Sequence, residues 1–375
     1  MEGDLLEKAK ISTYQLFVLI FLLEIGSAIL VPLAIEAKQD AWLAVLIGLA
    51  GGCCLFWIYH SLYSYYPEIP LTEYIQQILG SFLGKVLAFF YVLYFMYIAA
   101  RVLRDFGEML IIVFYPQTPL FIMNVLMVLV VVYTISKGIE VIARTGELLF
   151  IIMMLIGISG TVLIIISGII EISNLEPMLE EGIKPVIKTA FTQTLFFPFG
   201  EVIVFAMVLP YLNQKSKAMK TGLLGLGLSG LIIALIMAMN ISVLGVNLIS
   251  RSHFPLLSTI QTIEFAGFLQ RLDITFMLST VIGGFFKISM YFYASMVGTA
   301  NLFNIKNSAQ LAYPLGLLLL VLSITIASNF SEHVYEGLQI VPLYVHLPFQ
   351  VIIPVLLLII AFFKNRNKQR KRIRN

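Results

Sequence analysis

Charge is what this sequence has least of. Only 12% of its 375 residues are Asp, Glu, Lys or Arg, against 59% that are hydrophobic. A soluble domain carries about twice that share of charge, so a water-facing surface cannot be built here. Cysteine is scarcer still, with Cys53 and Cys54 side by side in an apolar stretch. Adjacent helix positions point about 100° apart, which excludes an ordinary disulfide between them and a cysteine metal cluster; they read as small buried hydrophobes. The histidines His60, His253, His333 and His346 show no metal-ligand spacing. A P-loop, a dinucleotide fingerprint and a nucleophile elbow are all missing. The expectation is therefore no enzyme, no metal, no cofactor and no nucleic-acid partner.

What the sequence does have is long apolar runs. Ten of them, at 11–35, 41–65, 84–113, 119–137, 146–169, 187–212, 221–246, 274–299, 309–328 and 341–363, reach or approach the length that crosses about 30 Å of hydrocarbon. Without the period-2 alternation of barrel strands they must be helices, because lipid satisfies no backbone polar group. The first run is too long for a signal-peptide core and lacks a cleavage pattern. A single transmembrane domain is expected over 1–363, in two halves of about 11–169 and 187–363, with a basic tail at 364–375. The mixed stretch 247–273 reads as a loop with short amphipathic helices outside the membrane. With both termini inside, sixteen Lys and Arg fall on the inner side and seven on the outer, leaving Lys287 within a span; the bias places the termini in the cytoplasm. The tail is either a stop-transfer anchor or a contact for anionic lipid. The acidic loop 170–188 is either a solvated hairpin or a funnel for cations.

Two spans carry interruptions near their middles. The first reads Glu24-Ile25-Gly26-Ser27, the sixth Phe197-Pro198-Phe199-Gly200-Glu201. Glycine permits backbone that other residues resist, and proline removes a donor and clashes with the preceding turn. Helix packing and a simple kink compete with an unwound site at these positions. Their occurrence at matching places in two five-span halves favours a transporter-type site. There, half-helix N-termini attract a carboxylate and freed carbonyls a cation, and an α-amino acid carries both groups.

Ionisable residues inside the spans are the next signal, since a charge facing lipid is costly. Glu24 and Glu201 flank the two breaks. Lys287 lies midway along span eight on a stripe of Ser279, Gly283, Lys287, Tyr291 and Ser295; small and polar residues on one face point into the bundle, whereas snorkelling would need a nearer span end. In span three, Arg101 with Asp105 and Arg104 with Glu108 have i,i+4 spacing. They are either intrahelical ion pairs or, for Tyr97 and Arg101, an outer gate above a pocket. Gly48, Gly52, Gly222, Gly225, Gly227 and Gly230 are expected at close helix contacts.

The order of segments resembles the permease-like B subunit of bacterial spore nutrient-germinant receptors. The similarity runs through ISTYQLFVLIFLLEIGS (11–27), TEYIQQILGSFLGKVLAFFYVLYF (72–95), RVLRDFGEMLI (101–111), KGIEVIARTGELL (137–149), FFPFGE (196–201) and HFPLLSTIQTIEFAGFLQRLD (253–273). That family is similar to amino-acid permeases of the LeuT-type five-plus-five inverted-repeat fold, with helices one and six broken. The resemblance implies a sensor subunit in the spore inner membrane that binds a small nutrient, often an amino acid, and acts with A and C subunits. It matches Gly26 and its neighbours to the unwound segment of span one, Phe197 to Glu201 to that of span six, and Lys287 and Tyr291 to the span-eight wall of the pocket. In sodium-coupled relatives of the fold, spans one and eight hold a sodium ion, and the Lys287 ammonium is a candidate to stand there instead. A proton- or ion-coupled permease and a scaffold with a vestigial pocket remain as competing functions.

Overall fold

The computed structural model describes residues 9–263 and 272–374, with side chains described to residue 366. Chain order gives thirteen α-helices among these residues: α1 (Thr13–Ala28), α2 (Ala41–Tyr65), α3 (Leu71–Leu79), α4 (Ser81–Val113), α5 (Leu120–Ser136), α6 (Ile139–Ile166), α7 (Ile183–Thr189), α8 (Ala218–Ile249), α9 (Pro255–Gln261), α10 (Asp273–Phe303), α11 (Ala312–Thr325), α12 (Phe330–Tyr335) and α13 (Ile353–Arg374). Among the described residues, eight helical segments are long and apolar enough to cross a membrane, and α1 and α5 are shorter apolar helices. Together they answer the ten apolar runs.

The faces these helices expose explain the missing charge. Along α6, Leu148, Ile151, Leu155, Ile158, Val162 and Ile165 all point outward, Leu155 at 64% exposure. Such a face is stable only against hydrocarbon. By contrast α1 is buried almost continuously from Leu16 to Ala28, as a helix apolar on every side must be. It packs on α6, α8 and α10, and α10 packs along α4.

Local chemistry sets the start of α1. Ser12 and Gln15 form a reciprocal capping box, with Ser12 Oγ accepting from the Gln15 amide at 3.1 Å and Gln15 Oε1 accepting from the Ser12 amide at 2.8 Å. Ile11 just before it pairs with the chain leaving span six: its amide donates to the Tyr211 carbonyl at 2.9 Å, and the Asn213 amide donates to the Ile11 carbonyl at 3.0 Å. The opposite face is closed by the acidic loop. There Asp40 accepts from the Leu179 amide, Gln39 donates to the Pro177 carbonyl, and Lys38 pairs with Glu181.

Several boundaries differ from the expectation. The seventh span is longer, at Ala218–Ile249, with Gly245 at φ +68° in its last turns. The fifth starts earlier, at Ile139. The tenth is helical from Phe330, through π-helical turns at Glu336–Ile340 and Pro342–Ile352, into α13; its polar start at Glu332, His333 and Glu336 hid it from a hydropathy reading. In the stretch read as a loop with short amphipathic helices, α8 runs on to Ile249 and a short helix, α9, takes Pro255–Gln261, while Glu264 and Arg271 lie outside the described residues. Cys54 faces outward rather than into the core. A Cβ at Gly48, Gly52, Gly222, Gly225 or Gly230 would strike a neighbouring helix or loop, but Gly227 faces open space.

Candidate functional site

Span one is interrupted, though not at Gly26. The helix continues through Gly26 and Ser27 and ends at Ala28. At 16 residues it rises only about 24 Å, and the chain covers the remaining depth without α-helix. Pro32 explains the stop, since it offers no amide and restricts the residue before it; Ala34 then turns left-handed at φ +57°. Gly26 serves packing instead. A Cβ on it would lie 2.8 Å from the Gly283 carbonyl oxygen, and one on Gly283 would lie 2.7 Å from the Gly26 Cα. The paired glycines let α1 and α10 touch backbone to backbone.

Span six is broken where the Phe197–Gly200 stretch lies. The helix α7 passes into a π-turn at Ala190–Thr194, then a turn across 195–198, then a 3-10 helix at Phe199–Met207. Gly200 is needed there because a Cβ would collide with the Gln350 side chain and lie 2.9 Å from the Leu195 carbonyl oxygen. The two interruptions are tied together: Gln193 Oε1 in the π-turn accepts from the Ala34 amide at 2.8 Å. That bond satisfies one of the amides freed by the break in span one.

Beneath the breaks sits a cluster of buried ionisable groups. The Lys287 ammonium forms an ion pair with the Glu201 carboxylate and stands 4.6 Å from the centre of the Phe197 ring. All the side-chain atoms of Lys287 are shielded, and Glu24 on α1 is equally buried. Tyr291, one turn beyond Lys287, donates from its hydroxyl to the Glu201 carbonyl at 3.0 Å. Behind them, Tyr94 binds the Gln350 amide at 2.9 Å and His346 Nδ1 at 3.0 Å, and Tyr59 donates to the Gln350 carbonyl at 2.6 Å.

A cavity of about 50 Å³ opens beside this cluster. Its walls are Ser27 and Val31 from the end of span one, Ile98, Arg101, Val102 and Asp105 from α4, Phe197 and Glu201 from span six, and His333 to His346 from span ten. Its polar rim joins span three to span ten. Arg101 donates to the His333 carbonyl, to Tyr97 at 3.3 Å and to Glu336 at 3.5 Å. Asp105 pairs with His333 Nε2 at 2.8 Å. The expected intrahelical pair of Arg101 with Asp105 is thus replaced by two cross-helix contacts, because the buried start of span ten offers closer partners. Arg104 does pair with Glu108, at 2.8 Å.

Of the sequence-predicted site residues, Ser27, Arg101, Phe197 and Glu201 line the cavity. Lys287 touches the lining residues Glu201 and Phe197 and Tyr291 touches Glu201, while Glu24, Ile25, Gly26, Tyr97, Pro198, Phe199 and Gly200 stand behind the lining. Sequence reasoning paired Asp105 with Arg101 without placing it in the site, and it missed His333, Gly337 and His346. Their signal was the titratable run Glu332-His333 and Glu336, with Pro342 and Pro348 inside one span.

This architecture is the LeuT-type fold. The fold matches Mhp1, a nucleobase-cation-symport-1 family transporter in a closed conformation with bromovinylhydantoin bound, at a TM-score of 0.65 and 14% identity over 88% of this chain and 76% of that one. It matches MhsT in complex with L-phenylalanine at 0.62 and 14% identity, over 95% and 87%. Within that class the chain belongs to the spore germination protein family, whose model matches residues 10–331. It is 53% identical to spore germination protein KB of Bacillus subtilis, over 98% of both chains. It is 26% identical to spore germination protein YndE of the same species, over 96% of this chain and 99% of that one. Spore germination protein XB of Bacillus anthracis is 23% identical over 72% of this chain and 74% of its own. The chain is therefore a multi-pass membrane protein of a permease-like germination family, and neither family nor fold is one of enzymes.

Proposed function

We propose that this chain is the nutrient-sensing subunit of a germination receptor, and that a small zwitterion, an amino acid, binds in the cavity between spans one, three, six and ten. The observation that carries this reading is the meeting of two interrupted spans at a buried charge cluster. The C-terminal end of α1, with Ser27 in the cavity wall, carries the negative end of the helix dipole, which favours an ammonium. The 3-10 helix beginning at Phe199 presents its N-terminus, and Arg101 its guanidinium, which favour a carboxylate. Mhp1 and MhsT, of the same fold, hold small molecules in their solved structures. Glu24, Ile25, Gly26, Pro198, Phe199, Gly200, Lys287 and Tyr291 then form the frame that positions Ser27, Phe197 and Glu201, with Tyr97 and Arg101 at the outer rim.

On this reading the ligand favours one arrangement of the broken spans over another, and partner A and C subunits relay that shift. The domain is one transmembrane unit over 1–363, in two five-span halves. The membrane is the spore inner membrane with both termini cytoplasmic, as the excess of Lys and Arg on that side favours, and the basic tail contacts anionic lipid. Binding of labelled single amino acids, sugars and nucleosides to the purified protein in lipid nanodiscs tests the reading. One amino acid should bind, and Glu201→Gln or Arg101→Ala should weaken it at least tenfold. If none of these ligands binds to the chain alone or with its partner subunits, the reading fails. Net uptake of radiolabelled amino acid into proteoliposomes would instead favour an ion-coupled permease.

A further inference from the structure

Three ionisable side chains meet at the centre of the bundle, two carboxylic and one cationic. Glu201 and Lys287 hold each other, and the ammonium also faces the Phe197 ring. Glu24 is left over. It is fully buried, and among the described residues neither of its carboxyl oxygens has a hydrogen-bond partner. It interacts electrostatically with Lys287 and Glu201, but the single positive charge between them is already engaged.

The titratable groups that interact electrostatically with Glu24 do not supply another. They are Cys53 and Tyr59 on α2, Lys287 and Tyr291 on α10, and Glu201 in span six. Only Lys287 among them is a cation. A bare carboxylate so placed would have no protein donor among the described residues to solvate its charge, and buried groups in that position take up a proton instead. A metal ion is a poor substitute, since among the described residues no three His, Cys, Asp or Glu side chains are grouped to hold one.

We propose that Glu24 is a proton-binding site, carrying a proton at neutral pH in the resting protein while Glu201 and Lys287 stay ionised. The cluster is then electrically neutral. A rearrangement that lets water reach the end of α1 releases the proton, so the conformational equilibrium of the broken spans is linked to pH. The site needs no nutrient, and it stands or falls independently of the ligand reading.

The test is infrared spectroscopy of the full-length protein in nanodiscs at neutral pH, where a protonated carboxyl shows its own carbonyl stretch. The band is expected in the wild type and in Glu140→Gln, a partly exposed control on α6 that pairs with Arg144, and is expected to vanish in both Glu24→Gln and Glu24→Met. It should be unchanged when choline chloride is replaced by sodium chloride. A wild-type spectrum without the band overturns the proposal whatever the variants do. So does a band that survives in both Glu24 variants, and so does one that sodium removes, since a bound cation would then be the occupant.

Discussion

Replacing Lys287 by methionine keeps the shape of the side chain and removes its charge. Glu201 would then lose the cation that holds it ionised at the centre of the bundle, and the Phe197 ring would lose the ammonium 4.6 Å from its centre. Breaking a buried ion pair from one side costs about 3–5 kcal/mol. With an unfolding entropy of about 2.1 cal/mol/K per residue, 375 residues give about 0.8 kcal/mol/K and a fall in melting temperature of about 4–6 °C. A membrane protein keeps part of its helix when unfolded, which lowers that entropy and makes the fall larger. The double variant Lys287→Met with Glu201→Gln removes both charges and should regain most of the loss. Insertion should be unaffected, because the change makes span eight more apolar, while the response to ligand should change. The assay is thermal unfolding of purified protein in detergent, beside immunoblots of the membrane fraction. Wild-type melting for the single variant would refute the buried pair, and loss of the protein from membranes would refute the claim that the charge is not needed for insertion.

Other expectations follow from packing and from the rim. Gly26→Ala and Gly283→Ala each press a methyl group into facing backbone and should destabilise by about 1–3 kcal/mol; Gly157→Ala, which meets open space, should stay within about 0.5 kcal/mol of wild type in the same melting assay. Arg101→Ala removes the charged hydrogen bonds to Glu336 and to the His333 carbonyl that join span three to span ten, each worth about 1.5–3 kcal/mol. In a protein whose sole cysteine replaces Ser27, labelling by a thiol reagent applied opposite the termini should rise at least about tenfold; an unchanged rate would show that Arg101 closes nothing. If the Lys287 ammonium stands in for a sodium ion, ligand binding should be equal in sodium-containing and sodium-free buffer, and a strong sodium dependence would remove the idea.

How legible the site was depends on the range of the interaction. Pro198, Gly200, Glu24, Glu201 and Lys287 stand out because each breaks a local rule, a helix breaker or a charge within an apolar run. Gly26 stood out for the wrong reason. A glycine within a helix does not say whether it opens the backbone or lets another helix approach, and only Gly283 across the α1–α10 contact settles that for packing. His333 and Asp105 lie 228 residues apart, and no local pattern pairs them.

Sequence alone determined that the chain lies in a membrane as about ten helices with a break at Pro198 in the sixth, since hydrocarbon thickness and the missing amide of proline act on consecutive residues, whereas the break in the first falls after Ala28 and not at Gly26, where the sequence places it. The choice of partners was decided by the tertiary structure. Glu201 rather than Glu24 takes the Lys287 ammonium, Arg101 reaches span ten instead of Asp105, and the π-helical stretch of span ten walls the cavity. A buried charge has several candidates within reach, and only the three-dimensional packing of distant segments determines which one it meets.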